Sequence, residues 1–367
     1  MQISLSRTNL GKADTGVLMN NLSWRHRILS AVIVIFVAAV LLLTVITAQA
    51  GDERVSTAGS FVTGDIFVAA TVMDVPDDDH AGTGRLLQFD ADLKFKGELW
   101  IAETTHKIGG LAFGPDGTLW GSAPISWQVI EIDTNAKQKP IRSFAQRPFS
   151  SVTFAPDGTL LFAEHLIGSK TSISFNTTHF NLLPGDQVIG HGNILRFSAG
   201  GEFIEEYETD THGGVVGIHG VTSTVLTDDG KRIIYISETG NRVMQYDLEN
   251  RQQLSDLADF GKVEDAPSML LVMAQMPDGD LVIGTGTSVV FLDQDSGEIT
   301  HEIRMDRMGW AAVASSIDPG YLLLGNFFDG EFVKLRVDDG KIVARNTINE
   351  ERSLSGIAQY PGPLASH

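Results

Sequence analysis

Ten histidines punctuate a chain of 367 residues, and two of them share a register. His106 stands eleven residues before Gly117, and His219 stands eleven before Gly230. Each of those glycines closes an Asp-Gly turn. A neutral imidazole can ligate a metal or act as general base near neutral pH. One recurring position for it points to a single site assembled from several repeats. The same offset from the other turn glycines gives Arg147, Ser268, Gly309 and Glu351, with Trp310 next in the chain. Together they predict a polar, ligand-binding ring.

Carboxylates and amides fall at a second repeated place, the ends of apolar β-type runs: Glu164, Glu238, Asn241 and Asn326. His165 follows Glu164 directly. A divalent cation, Ca²⁺ or Zn²⁺, held by His106, His219 and His165 would polarise a carbonyl and activate water. Glu164 or Glu238 would support that chemistry. The plainer alternative is that these histidines are scattered loop residues. Glu238-Thr239-Gly240-Asn241 also reads as an ordinary turn. Asp74, Asp77, Asp78 and Asp79 with His80 offer oxygens for Ca²⁺ but lack EF-hand spacing, so a solvated loop is the simpler reading. The sequence has no G-x-S-x-G, H-E-x-x-H or G-x-x-x-x-G-K-[ST] motif. It has no cysteine, which excludes disulfides and thiol chemistry. Its Ser–Thr runs read as β-strand filler.

The elements that must position these residues repeat. Asp-Gly or Pro-Gly turns end at Gly117, Gly158, Gly230, Gly279, Gly320 and Gly362, at intervals of 41, 72, 49, 41 and 42 residues. Each follows a short apolar run, as in Val221–Leu226, and precedes others, as in Arg232–Ser237 and Arg242–Asp247. A period near 40 with four strands per unit predicts a β-propeller. The interval of 72 holds an insertion, 166–189, in the third blade. The strands Asp65–Thr71, Arg85–Asp90 and Gly97–Ile101 lack an inner partner, and Leu354–Tyr360 lacks outer ones. Together they predict a shared blade that closes a ring of six over residues 65–362. Strand-two-to-three loops and blade connectors then lie on one face with most of the histidines.

The N-terminus is a separate object. Residues 1–27 form a basic flank, and Ile28–Thr47 carries no charge before Ala48-Gln49-Ala50. The segment 28–50 therefore predicts a signal peptide or a retained signal-anchor helix, with a linker at 51–64 and a tail at 363–367. Either outcome puts the remainder outside the cytoplasm, periplasmic or secreted, and an uncleaved segment 28–47 would tether it to the membrane. From residue 51 onward there are 23 basic and 45 acidic residues, a charge of about −22. Such a surface repels nucleic acid.

The stretch YISETGNRVMQYDL at Tyr235–Leu248 resembles the second and third strands of a blade in the senescence-marker-protein/gluconolactonase-like superfamily, which includes strictosidine-synthase-like and NHL-type propellers. GGLAFGPDGTLWGS and SSVTFAPDGTLLFAE are similar to its inner hairpins. The resemblance covers roughly Phe61 to Pro361 and implies a six-bladed scaffold. It also implies a divalent cation at the channel mouth, held by Glu, Asn and Asp at the starts of innermost strands. The corresponding places here include Gly109, Thr222 and Leu271, and only Ser268 lies near the expected Asp. Two functions follow as expectations. One is an extracytoplasmic hydrolase of lactone or ester bonds in small molecules. The other is a non-catalytic propeller that binds a small ligand or an envelope protein partner.

Overall fold

The computed structural model describes residues 54–75, 82–104, 108–124, 127–142, 144, 147–164, 191–210, 220–237, 240–263, 267 and 269–363. The apolar segment 28–50, the insertion 166–189 and the tail residues 364–367 lie outside them. Among the described residues no helix is long and apolar enough to cross a membrane.

The chain folds as strands bonded to their sequence neighbours, because short β-branched runs alternate with turns too tight for anything but antiparallel hairpins. The first sheet contains β1 (Ile66–Met73), β2 (Gly82–Phe89) and β3 (Phe95–Trp100). The second is β4 (Gly109–Phe113), β5 (Leu119–Ala123) and β6 (Gln128–Ile132). The third is β7 (Phe149–Phe154), β8 (Leu160–Glu164), β9 (Ile194–Phe197) and β10 (Phe203–Tyr207). The fourth runs β11 (Ser223–Leu226), β12 (Arg232–Ile236), β13 (Arg242–Asp247) and β14 (Gln252–Gln253), with β15 (Ala258–Asp259) also on β13. The fifth is β16 (Val272–Gln275), β17 (Leu281–Gly284), β18 (Ser288–Leu292) and β19 (Ile299–Arg304). The sixth is β20 (Trp310–Ser315), β21 (Tyr321–Asn326), β22 (Glu331–Arg336) and β23 (Ile342–Thr347). The last strand, β24 (Gly356–Gln359), pairs with β1 from Ile66↔Gln359 to Ala69↔Gly356, so the first sheet has the order β24-β1-β2-β3.

The innermost strands touch in sequence: β4 meets β7, β7 meets β11, β11 meets β16, β16 meets β20, β20 meets β24, and β24 meets β4. Six sheets ranged about one axis make a six-bladed β-propeller, as the turn spacing predicts. The second blade differs from expectation in having three strands among the described residues. A single bridge, Ile132↔Gln138, and the bond from Lys139 N to Glu131 O stand where a fourth strand would pair.

The core lies between blades, so each sheet is covered on both faces. That is why Ile233, Ile234, Tyr235 and Ile236 are all buried although they alternate sides. One cluster joins Phe67, Leu86 and Leu99 of the first blade to Leu119, Ile130 and Ile132 of the second. Another joins Val282 and Phe291 of the fifth to Leu322 and Val333 of the sixth.

The turns repeat because their chemistry repeats. In Pro115-Asp116-Gly117 the Asp116 carboxylate accepts from Thr118 N at 3.0 Å and from its hydroxyl at 2.8 Å. Gly117 takes φ +79°, a conformation that a side chain resists. Asp157 repeats both contacts with Thr159, at 3.0 and 2.6 Å.

Residues 55–64 run along the outer edge of the first blade. Thr57 N and Ala58 N donate to Glu98 O at 2.7 and 2.9 Å, and Trp100 N donates to the Ser56 hydroxyl at 3.1 Å. Gly64 N then donates to Tyr360 O at 2.9 Å. The strap thus descends from the connector face to the face of the Pro-Asp-Gly turns. Phe61 packs there against Phe67, Phe113 and Tyr360, with centroids 4.4, 6.0 and 5.5 Å away.

Candidate functional site

The sequence places Glu164 and Arg147 at separate repeated positions, and the fold brings them together. Glu164 ends β8 and is 0% exposed. Arg147 precedes β7 and reaches it with two nitrogens, Nε and Nη2, the latter at 2.9 Å. The backbone N–H groups of His191, Gly192 and Asn193 donate to Glu164 Oε2 at 2.7, 2.7 and 3.2 Å. Arg147 Nη2 also bonds Glu206 Oε1 at 3.0 Å, where Asn193 Nδ2 donates at 2.7 Å. Partial burial raises the Glu206 pKa, but these bonds from Asn193 and Arg147 outweigh it and hold the carboxyl below its ordinary range. Hydrogen bonding to Glu164 pushes the Arg147 guanidinium above its ordinary value despite desolvation. Every oxygen of Glu164 is therefore engaged in binding β7 to the start of β9.

Asn326 and Trp310 meet at the opposite side of the ring. Asn326, 0% exposed at the end of β21, donates from Nδ2 to Met308 O at 2.9 Å and accepts from Phe328 N at 2.9 Å. It closes the connector into β20 and the loop into β22. Trp310 is 1% exposed and belongs to the hydrophobic cluster between the fifth and sixth blades. The Arg307 guanidinium lies 5.0 Å from its ring centroid and pairs with Asp329 at 2.6 Å and with Glu331. Glu351 is exposed. His106, His219, His165, Glu238 and Ser268 lie outside the described residues. So the polar ring expected from the shared register is represented among the described residues by a clamped arginine, a glycine and an exposed carboxylate.

The residues implied to hold a cation are tested by what stands there. At the innermost-strand starts, Thr222 donates its hydroxyl to Ile236 O at 3.1 Å, while Gly109 and Leu271 have no side-chain donor atom for a metal. Among the described residues no three of His, Asp and Glu are grouped to hold a metal ion. The described residues do not fit the cation that the resemblance implies.

A site missed by the sequence reading lies on the axis. A cavity of about 560 Å³ touches all six innermost strands. Its wall mixes hydroxyl and apolar side chains on all sides, as with Ser151, Val152, Thr224, Ser355 and Ile357, and adds the Gln275 amide. Each innermost strand is bonded to a neighbouring strand on one edge only, so the other edge faces this space. Asp228, in an exposed turn, is the single ionisable side chain among the lining residues described. The signal was present: serine and threonine recur in the innermost runs SSVTF and TSTVL, where β-propensity alone explains them as filler.

The fold defines the class: an all-β six-bladed propeller with an axial cavity, in which Asp228 is the single ionisable side chain among the described lining residues. Solved structures agree with the fold. A protein of unknown function from Bacteroides caccae matches with a TM-score of 0.55 and 14% identity, over 81% of this chain and 98% of that one. A chain of a nidogen/laminin complex matches at 0.55 and 12%, over 80% and 97%. A functionally unknown protein from Desulfotomaculum acetoxidans DSM 771 matches at 0.52 and 16%, over 80% and 98%. At such identities the likeness shows the fold alone. No protein-family model matches the sequence, and no curated protein matches it.

Proposed function

We propose that this chain is an extracytoplasmic binding propeller, non-catalytic, that takes a small molecule into its central channel. The observation that carries this reading is the wall of the axial cavity. It is large enough for a small ligand and lined by hydroxyl, amide and aliphatic groups. General acid–base chemistry needs a titratable group within reach of the substrate, and among the described lining residues only the exposed Asp228 is one. At the rim, Glu164 and Arg147 are spent on one another. The export signal read in residues 28–50 supports the compartment, and the charge of the exported part argues against nucleic acid as a partner.

A second reading, hydrolysis of lactone or ester bonds, is favoured by the shared register of His106 and His219. One experiment separates the two. The full-length chain is purified in detergent, its metal content measured, and lactones and aryl esters screened with and without chelator. The binding reading expects no turnover above background. Turnover that is lost in a His106→Ala, His219→Ala double variant would replace it with the hydrolase.

A further inference from the structure

Exposed large hydrophobic side chains are unevenly placed among the described residues. Val75 follows β1, Trp127 precedes β6, Val263 lies between β15 and β16, Met308 precedes β20, and Phe328 lies between β21 and β22. Each of these loops joins the second and third strands of a blade or links one blade to the next, so all five residues lie on the connector face. The face of the Pro-Asp-Gly turns carries two, Val62 and Ile317. Trp127, Met308 and Phe328 are 43, 54 and 48% exposed, so a large part of each meets solvent. Trp127 stands there at φ +56°, a conformation most side chains avoid. The Asn326 amide bonds Met308 O and Phe328 N and holds those two loops side by side.

The chain enters the propeller on the same face, where Trp100 N at the end of β3 donates to the Ser56 hydroxyl at 3.1 Å. Seven residues, 48–54, join that strap to the uncharged run Ile28–Thr47. Fully extended they reach about 25–30 Å. A run retained in the bilayer would therefore keep the connector rim close to the lipid.

The placement of the apolar groups favours lipid over a protein partner. They are spread over several blades as separate knobs, whereas a protein interface is built on a contiguous patch. A fluid headgroup layer accepts dispersed knobs, and tryptophan settles at that depth because its ring is apolar at one end and wet at the other. Asp306, Asp329 and Glu351 are exposed on the same loops, so the lipid that fits is zwitterionic rather than anionic.

We propose that the propeller lies with its connector face on the bilayer, residues 28–47 being retained as its anchor, and that Trp127, Met308 and Phe328 dip into a zwitterionic headgroup layer. The channel mouth on the Pro-Asp-Gly face, where Asp228 stands, is then the one open to solvent. The proposal rests on the export reading of residues 28–50 and not on the channel ligand.

The chain has no cysteine, so single cysteines report position directly. Full-length Trp127→Cys, Phe328→Cys and, on the opposite face, Ile317→Cys are labelled with an environment-sensitive dye and reconstituted into phosphatidylcholine vesicles that carry doxyl-labelled lipid. Met308→Cys replaces either of the first two if that variant melts early. Doxyl lipid is expected to quench the labels at 127 and 328 at least about two-fold more than the label at 317. Phosphatidylserine mixed into the vesicles is expected to weaken that quenching. A chain that carbonate washes off the vesicles has no anchor, and the proposal falls with the anchor. A retained chain whose three labels are quenched alike keeps the anchor and overturns the docking. Labels at 127 and 328 that are shielded from aqueous iodide as well as from doxyl lipid are covered by a second copy, which also overturns it.

Discussion

Arg147 grips the fully buried Glu164 with two guanidinium nitrogens, and three backbone N–H groups complete the carboxylate's shell. The pair sits where β8 ends, so it fixes the approach to β9. Removing one partner strands a buried charge, which costs about 3–5 kcal/mol. Arg147→Ala should lower the unfolding free energy from urea titration by about that amount, and Glu164→Ala by less, because Arg147 keeps Glu206 as a partner. The double variant should cost less than the sum, because its second deletion removes an already stranded charge. Additive losses would show that the two side chains act separately.

Glu206 gives the same cluster a pH dependence. Its carboxyl is held below the ordinary value of 4.5 by Asn193 and Arg147 acting against burial. A depressed carboxyl stabilises the fold in full above the unfolded value. That contribution declines as pH falls below about 4.5 and is gone once pH passes the folded value. Denaturation of the native protein and of Glu206→Gln should therefore differ by a constant amount from pH 5 to 7. The difference should shrink at lower pH. A gap that widened on acidification would contradict the assignment.

The strap at residues 55–64 seals the first blade to its neighbour through Phe61, which packs on Phe67, Phe113 and Tyr360. Phe61→Ala should cost about 2 kcal/mol, from lost apolar burial at a partly exposed site. A chain beginning at Gly64 should melt well below one beginning at Val55, measured by circular dichroism. Equal melting curves would show that the strap is incidental.

Asn326 was a candidate ligand-binding residue by its position, yet its amide is engaged by Met308 O and Phe328 N. Asn326→Ala should cost about 1 kcal/mol, because the partly buried Met308 O and Phe328 N lose their partner. The affinity of the folded fraction for a channel ligand should stay unchanged. A selective loss of affinity at constant stability would restore Asn326 to the binding site.

Six blades were legible because turn chemistry is local. An Asp carboxylate bonding forward and a glycine at positive φ recur wherever Pro-Asp-Gly recurs, as at Asp116 and Asp157. Strand limits followed closely in the fourth blade: Arg242–Asp247 is a strand with the bounds its pattern implies, and Arg232–Ser237 is one but for its last residue. The site was harder to read. Ser151 and Thr224 lie 73 residues apart in sequence and share one cavity because two innermost strands stand side by side. No local pattern separates a threonine facing a channel from one filling a strand. Trp310 shows the converse, since a large aromatic beside a polar register position is drawn into the seam between blades by its apolar area.

The claim that the axial channel is the binding site is tested most directly by ligand-induced melting shifts. Wild type and Ala274→Phe, which adds a ring at a residue lining the cavity, are compared against one library of small compounds. The account predicts that compounds raising the wild-type melting temperature leave the plugged variant unmoved. Shifts of equal size in both proteins would place the site elsewhere and contradict it.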